Sequence, residues 1–82
     1  MPKRFQQKYQ PPIELDLHGL KHGDVYVLVE DFILQNQAAL PLRVITGNSE
    51  KMKSIVIDVV QKHNFNYSDG DYYNRGYILV LN

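Results

Sequence analysis

The chain has 82 residues, which is enough for one small domain whose core contributes on the order of 3–5 kcal/mol. Its hydrophobic content of 44% is ordinary for a globular protein, and the lack of cysteine excludes disulfides and thiolate metal sites. A formal net charge of zero speaks against a uniformly basic nucleic-acid binder. No apolar run or opening signal pattern predicts a membrane segment or export, so the expected location is cytoplasmic, with no membrane partner.

Charge is unevenly spread. Lys3, Arg4 and Lys8 lie in the first ten residues with no acid among them. Residues 1–12, glutamine-rich and closed by Pro11-Pro12, read as a flexible basic N-terminal arm. Such an arm serves either as a track along phosphates or as a solvated tail. The domain proper is expected over residues 13–82.

A first strand is predicted over Ile13–Leu17. Ile13, Leu15 and Leu17 alternate with Glu14, Asp16 and His18, so one face goes to the core and the other carries the acid–imidazole pair. Gly19 ends the strand and lets the backbone turn or approach a ligand. A helix follows from His22 or Gly23 to Ala38, with Val25, Leu28, Val29, Phe32 and Ile33 as its apolar stripe and Asp24 in its first turn.

Pro41 closes that unit, and Leu42–Thr46 reads as a second strand with Leu42 and Val44 on one face. After Gly47, Asn48 or Ser49 is placed to cap a helix from Glu50 to His63. The β-branched run around Ile55–Val60 has strand propensity, but the cap and the length favour helix, on the face Met52, Val56, Val59, Val60 and His63. Phe65–Ser68 and Tyr77–Leu81 are the last two strands, separated by the turn signals Asp69-Gly70-Asp71 and Asn74-Arg75-Gly76. The order is β-α-β-α-β-β. It predicts an α+β two-layer sandwich, with a four-stranded mixed sheet and both helices on one face.

In such sheets ligands bind beyond the carboxyl ends of the parallel strands. Those ends are His18-Gly19-Leu20-Lys21 and Thr46-Gly47-Asn48-Ser49. The second feeds a helix N-terminus, which favours an anion such as phosphate. Lys21, His22, Lys51 and Lys53 lie near the same edge and can make it locally basic.

The run Leu15-Asp16-Leu17-His18-Gly19-Leu20, the Thr46-Gly47 pair and Asn74-Arg75-Gly76 together resemble the Smr (small MutS-related) domain family, here as a small stand-alone member. The resemblance covers roughly residues 13–82. Ser49 departs from it, standing where the family's second loop usually carries another glycine. The family fold is the same sandwich, similar to the C-terminal domain of translation initiation factor three. The resemblance implies a nucleic-acid-binding domain that nicks or cleaves DNA or RNA, with Asp16 and His18 as catalytic residues. Gly19, Lys21, Thr46, Gly47, Asn48, Lys51, Lys53 and Arg75 are the expected phosphate contacts.

Two chemistries stay open for the pair. Asp16 orients His18, which then moves a proton at a phosphate. Alternatively, Asp16 holds a divalent cation such as Mg²⁺ or Mn²⁺. Against both stands a structural role, in which Asp16 accepts a backbone N–H of the turn. The alternative function is a non-catalytic nucleic-acid-binding or structure-recognition module, or a protein-interaction domain. His22 and His63, at helix ends, are not expected to be catalytic. Tyr67, Tyr72, Tyr73 and Tyr77 either stack on bases or form hairpin pairs. The sequence sets no oligomeric state, and a monomer is compatible with it.

Overall fold

The computed structural model describes residues 12–70 and 76–82. The basic arm and the expectations for Asp71, Tyr72, Tyr73, Asn74 and Arg75 lie outside the described residues. Within them the elements are β1 (Ile13–Asp16), α1 (His22–Gln35), β2 (Leu42–Ile45), α2 (Glu50–Lys62), β3 (Asn66–Asp69) and β4 (Tyr77–Leu81). A single 3₁₀ turn, Gln37–Ala39, follows α1. The expected β-α-β-α-β-β order is present.

The four strands form one mixed sheet in the order β1-β2-β4-β3. β1 and β2 run parallel, pairing Ile13 with Leu42 and Asp16 with Ile45. β4 is antiparallel to both β2 and β3. Leu42 and Val44 of β2 and Ile78 and Val80 of β4 are fully buried and meet Val25, Val29 and Ile33 of α1 and Val56, Val59 and Val60 of α2 in one core. Arg43, Ile45, Tyr77, Leu79 and Leu81 alternate with those strand residues and are half-buried. The period-2 pattern of the strands and the 3.6-residue pattern of the helices therefore converge on one layer.

The helices differ in how their ends are made. Ser49 caps α2, its hydroxyl accepting from the Met52 N–H at 3.1 Å. The cap and the buried valines override the strand propensity of the β-branched run. At the other end Asn64 adopts a left-handed φ of 63°, the Phe65 N–H donates to Val60 O at 3.0 Å, and the Asn64 N–H donates to Gln61 O at 3.1 Å. This is the paired Schellman closure. It takes up the Phe65 N–H, so β3 begins at Asn66 rather than at Phe65 as expected. Asn64→Ala is expected to lower stability by about 1 kcal/mol, and Asn64→Gly to be neutral or stabilising, read from urea unfolding.

α1 ends at Gln35, three residues before the expected Ala38. Asn36 leaves helical geometry and its carboxamide donates to the Phe32 carbonyl at 2.7 Å, after which the chain tightens into the 3₁₀ turn. Two apolar positions also depart from expectation. Leu28 is exposed, because α1 buries only the narrow arc of Val25, Val29 and Ile33. Ile13 is 46% exposed, since β1 is an edge strand and has a neighbour on one side only.

A polar contact fastens α1 to α2. His63 Nε2 lies 2.8 Å from Glu30 Oε2, and Lys62 Nζ lies 3.8 Å from the same oxygen and 5.5 Å from the Tyr26 ring centre. The bond to His63, outweighing the smaller opposing effect of desolvation and helped by the charge of Lys62, holds the Glu30 carboxyl below the usual carboxylate range. A depressed folded-state pKa contributes stability that is present above the ordinary value and lost as pH falls through the lowered one. Glu30→Gln should therefore flatten the acid limb of stability below about pH 4.5, measured by urea midpoints across that range.

Among the described residues no helix is long and apolar enough to cross a membrane.

Candidate phosphate-binding edge

Parallel pairing carries the ends of β1 and β2 to one edge of the sheet. The Leu17 N–H donates to Ile45 O at 3.0 Å, one residue beyond the β1 ladder, so the two loops leave the sheet side by side. Leu17 itself is fully buried. It anchors the first loop in the core and leaves Asp16, His18, Gly19, Leu20 and Lys21 exposed around it.

The first loop closes as a turn, the Leu20 N–H donating to Leu17 O at 3.1 Å. Gly19 sits there at φ 81°, a left-handed conformation that L side chains rarely adopt, with open space where a Cβ would stand. Asp16 Oδ1 accepts the backbone N–H of His18 at 2.9 Å. The expected pairing of carboxylate with imidazole is thus replaced by carboxylate with main chain. An aspartate two residues ahead of a turn is well placed for this local bond, and its geometry needs no side-chain partner. Among the described residues no partner bonds the His18 ring, which faces solvent.

The second loop is tied to β4. The N–H groups of Thr46 and Gly47 both donate to Gly76 O at 2.9 Å, and the Thr46 hydroxyl donates to Gly47 O at 2.8 Å. Thr46 is buried and all three of these donors are used internally. Gly47 also takes a left-handed φ, 65°, and again nothing stands within 4 Å of a built Cβ. Asn48 and Lys51 are exposed, and the bonds among the described residues leave their N–H groups out. α2 starts beside them, and the free N–H groups of a helix start favour an anion.

The lysines divide. Lys21 and Lys51 are exposed at the edge. Lys53 is buried and its amine lies 3.2 Å from Asp69 Oδ1, so it links α2 to β3 and offers no free charge to a phosphate. Asp69 and Tyr67 pair with Ile78 and Val80, which puts them on the helix side of the sheet. Tyr77 is on the other side, with Arg43 5.0 Å from its ring centre and in turn 2.9 Å from Glu14. Gly76 entered the sequence reading only through the Asn74-Arg75-Gly76 turn, and Arg43 was given no site role. Their contacts carry no local signal, since each acts through a strand distant in the chain. A surface depression of about 460 Å³ lined by Gln61, Asn64, Phe65, Asn66 and Tyr67 lies at the far end of α2 and takes no part in this edge.

A hard divalent cation takes about six oxygen ligands. Among the described residues no group of three or more His, Asp or Glu side chains is placed to hold a metal ion. Asp16, already engaged by His18, does not by itself fit a Mg²⁺ or Mn²⁺ site. The edge offers open space over two glycine turns, two exposed lysines and one exposed imidazole. Set against protein-family models, curated proteins and solved structures, the chain matches none of them.

Proposed function

We propose that this chain is a Smr-type nucleic-acid-binding domain that acts as an endonuclease on DNA or RNA. Its main support is the parallel β1–β2 pairing, which sets the His18-Gly19 turn beside the Thr46-Gly47 turn with open space over both glycines. A phosphate lying there meets Lys21 and Lys51 as counter-charges and the Asn48 and Lys51 N–H groups as donors. An imidazole exchanges protons near neutral pH. His18 takes the proton of the attacking hydroxyl as the new P–O bond forms, and the departing oxygen takes a proton from water. Asp16 is a positioning residue here, fixing the backbone that carries the ring.

One observation favours the second reading, a binding module without catalysis. The Asp16 carboxylate is spent on a backbone N–H, and among the described residues no group of three or more His, Asp or Glu side chains is placed to hold a metal ion beside it. A panel of single-stranded, duplex and branched DNA and RNA, with and without Mg²⁺ or Mn²⁺, separates the two. Cleavage products support the nuclease. Salt-dependent binding with no products on any substrate supports the module. Absence of any nucleic-acid affinity overturns both and points to a protein partner.

A further inference from the structure

The depression at the far end of α2, about 460 Å³ in volume, is lined by Gln61, Asn64, Phe65, Asn66 and Tyr67. Small-ligand sites fall in the range of about 300–1,000 Å³. The hollow is built locally. α2 ends in its Schellman closure, which turns the chain at Asn64 and starts β3 two residues later. Helix end, turn and strand start therefore border one concavity. Phe65 is half-buried and packs against the core, which gives the hollow a fixed apolar wall. Tyr67 pairs with the buried Val80, so it too lies on the helix side of the sheet, and it is 36% exposed.

None of the five lining residues carries a charge. The cationic side chains next along the chain, Lys62 and His63, both meet Glu30 of α1. The hollow therefore offers a phosphate no counter-charge, unlike the edge at the ends of β1 and β2. It offers amides instead. Asn66 Nδ2 donates to Asn82 O at 3.0 Å. Among the described residues the side-chain amides of Gln61 and Asn64 bond nothing. Each holds a carbonyl acceptor and an NH₂ donor in one plane. That arrangement complements a heterocycle with an adjacent donor and acceptor on its edge, as adenine has at N6 and N7. The exposed ring of Tyr67 adds a stacking face, which suits any base.

We propose that this hollow binds a nucleobase, presented either by a free nucleoside or by an unpaired position of a strand. Tyr67 stacks on the base, the Gln61 and Asn64 amides bond its edge, and the sugar stays in solvent. The site lies across the length of α2 from the Thr46-Gly47 turn, about 20 Å for a helix of 13 residues. It does not rest on the nuclease reading, since a nucleoside has no phosphodiester bond to cleave.

The experiment titrates the isotope-labelled full chain with adenosine, guanosine, cytidine and uridine in turn and follows proton–nitrogen correlation spectra. At least one nucleoside is expected to shift the side-chain amide signals of Gln61 and Asn64 and the backbone signals of Phe65 and Tyr67. The expected Kd is on the order of 1 mM, the strength of one stacked and edge-bonded base. Tyr67→Leu should weaken binding about tenfold and Gln61→Ala about threefold. Asn64→Gly keeps the left-handed turn and removes the amide. It should weaken binding as much as Gln61→Ala, and it guards against a variant that misfolds. A single-stranded oligonucleotide of the same base that shifts these signals at lower concentration identifies a strand as the source, and equal or weaker action identifies the free nucleoside. No shift of these signals with any nucleoside overturns the proposal, as does binding that all three variants retain in full. Equal shifts with methyl glucoside or inorganic phosphate also overturn it, assigning the hollow to a saccharide or an anion.

Discussion

Leu17→Ala is expected to lower the unfolding free energy by about 2–5 kcal/mol, read from urea or thermal denaturation. Leu17 is fully buried although it lies just past the last residue of β1. Its loss leaves a cavity where the first strand enters the core, and a chain of 82 residues has few other contacts to absorb it. The effect should extend to the candidate site at the ends of β1 and β2. The Leu17 carbonyl closes the turn that holds Gly19 at positive φ, and the next residue is His18. Leu17→Met, which keeps the volume, should cost under about 1.5 kcal/mol and spare the turn.

His18→Ala is expected to reduce cleavage by at least about a hundredfold while leaving nucleic-acid affinity and the urea midpoint nearly unchanged. The ring is exposed and bonds nothing among the described residues, so its removal disturbs no contact of the fold. Asp16 separates charge from geometry. Asp16→Asn keeps an oxygen for the His18 N–H, whereas Asp16→Ala removes the acceptor. If Asp16 acts by fixing the turn, the Asn variant retains most of the cleavage and the Ala variant loses it. If its charge acts on the ring, both lose it. Cleavage that survives His18→Ala overturns this assignment of the site.

Local rules made much of the fold legible. Ser49 before Glu50 announced α2 through its capping hydroxyl, and it does cap. Gly19 and Gly47 marked turns that take positive φ. The strand alternation put Leu42, Val44, Ile78 and Val80 in the core, where they are. What escaped the sequence depends on partners far along the chain. Lys53 looks like any surface lysine until β3 brings Asp69 to it from sixteen residues away. Leu28 belongs to an apolar stripe by spacing, yet whether a stripe is covered depends on where the helix sits over the sheet. The Asp16–His18 pair was visible as a spacing, but a spacing cannot say whether ring or main chain takes the bond. The two N–H groups that meet Gly76 O, likewise, look free in a sequence.

The order β1-β2-β4-β3 leaves the two halves of the edge unequally held. The Thr46-Gly47 half follows a strand bonded on both sides and is tied again to Gly76. The His18 half follows an edge strand of four residues with one ladder. Local opening follows such differences in support, so the outer strand separates from its neighbour at lower free energy than the inner one. By that rule the spacing between the two turns is expected to vary more through β1, whose loop carries His18, than through β2.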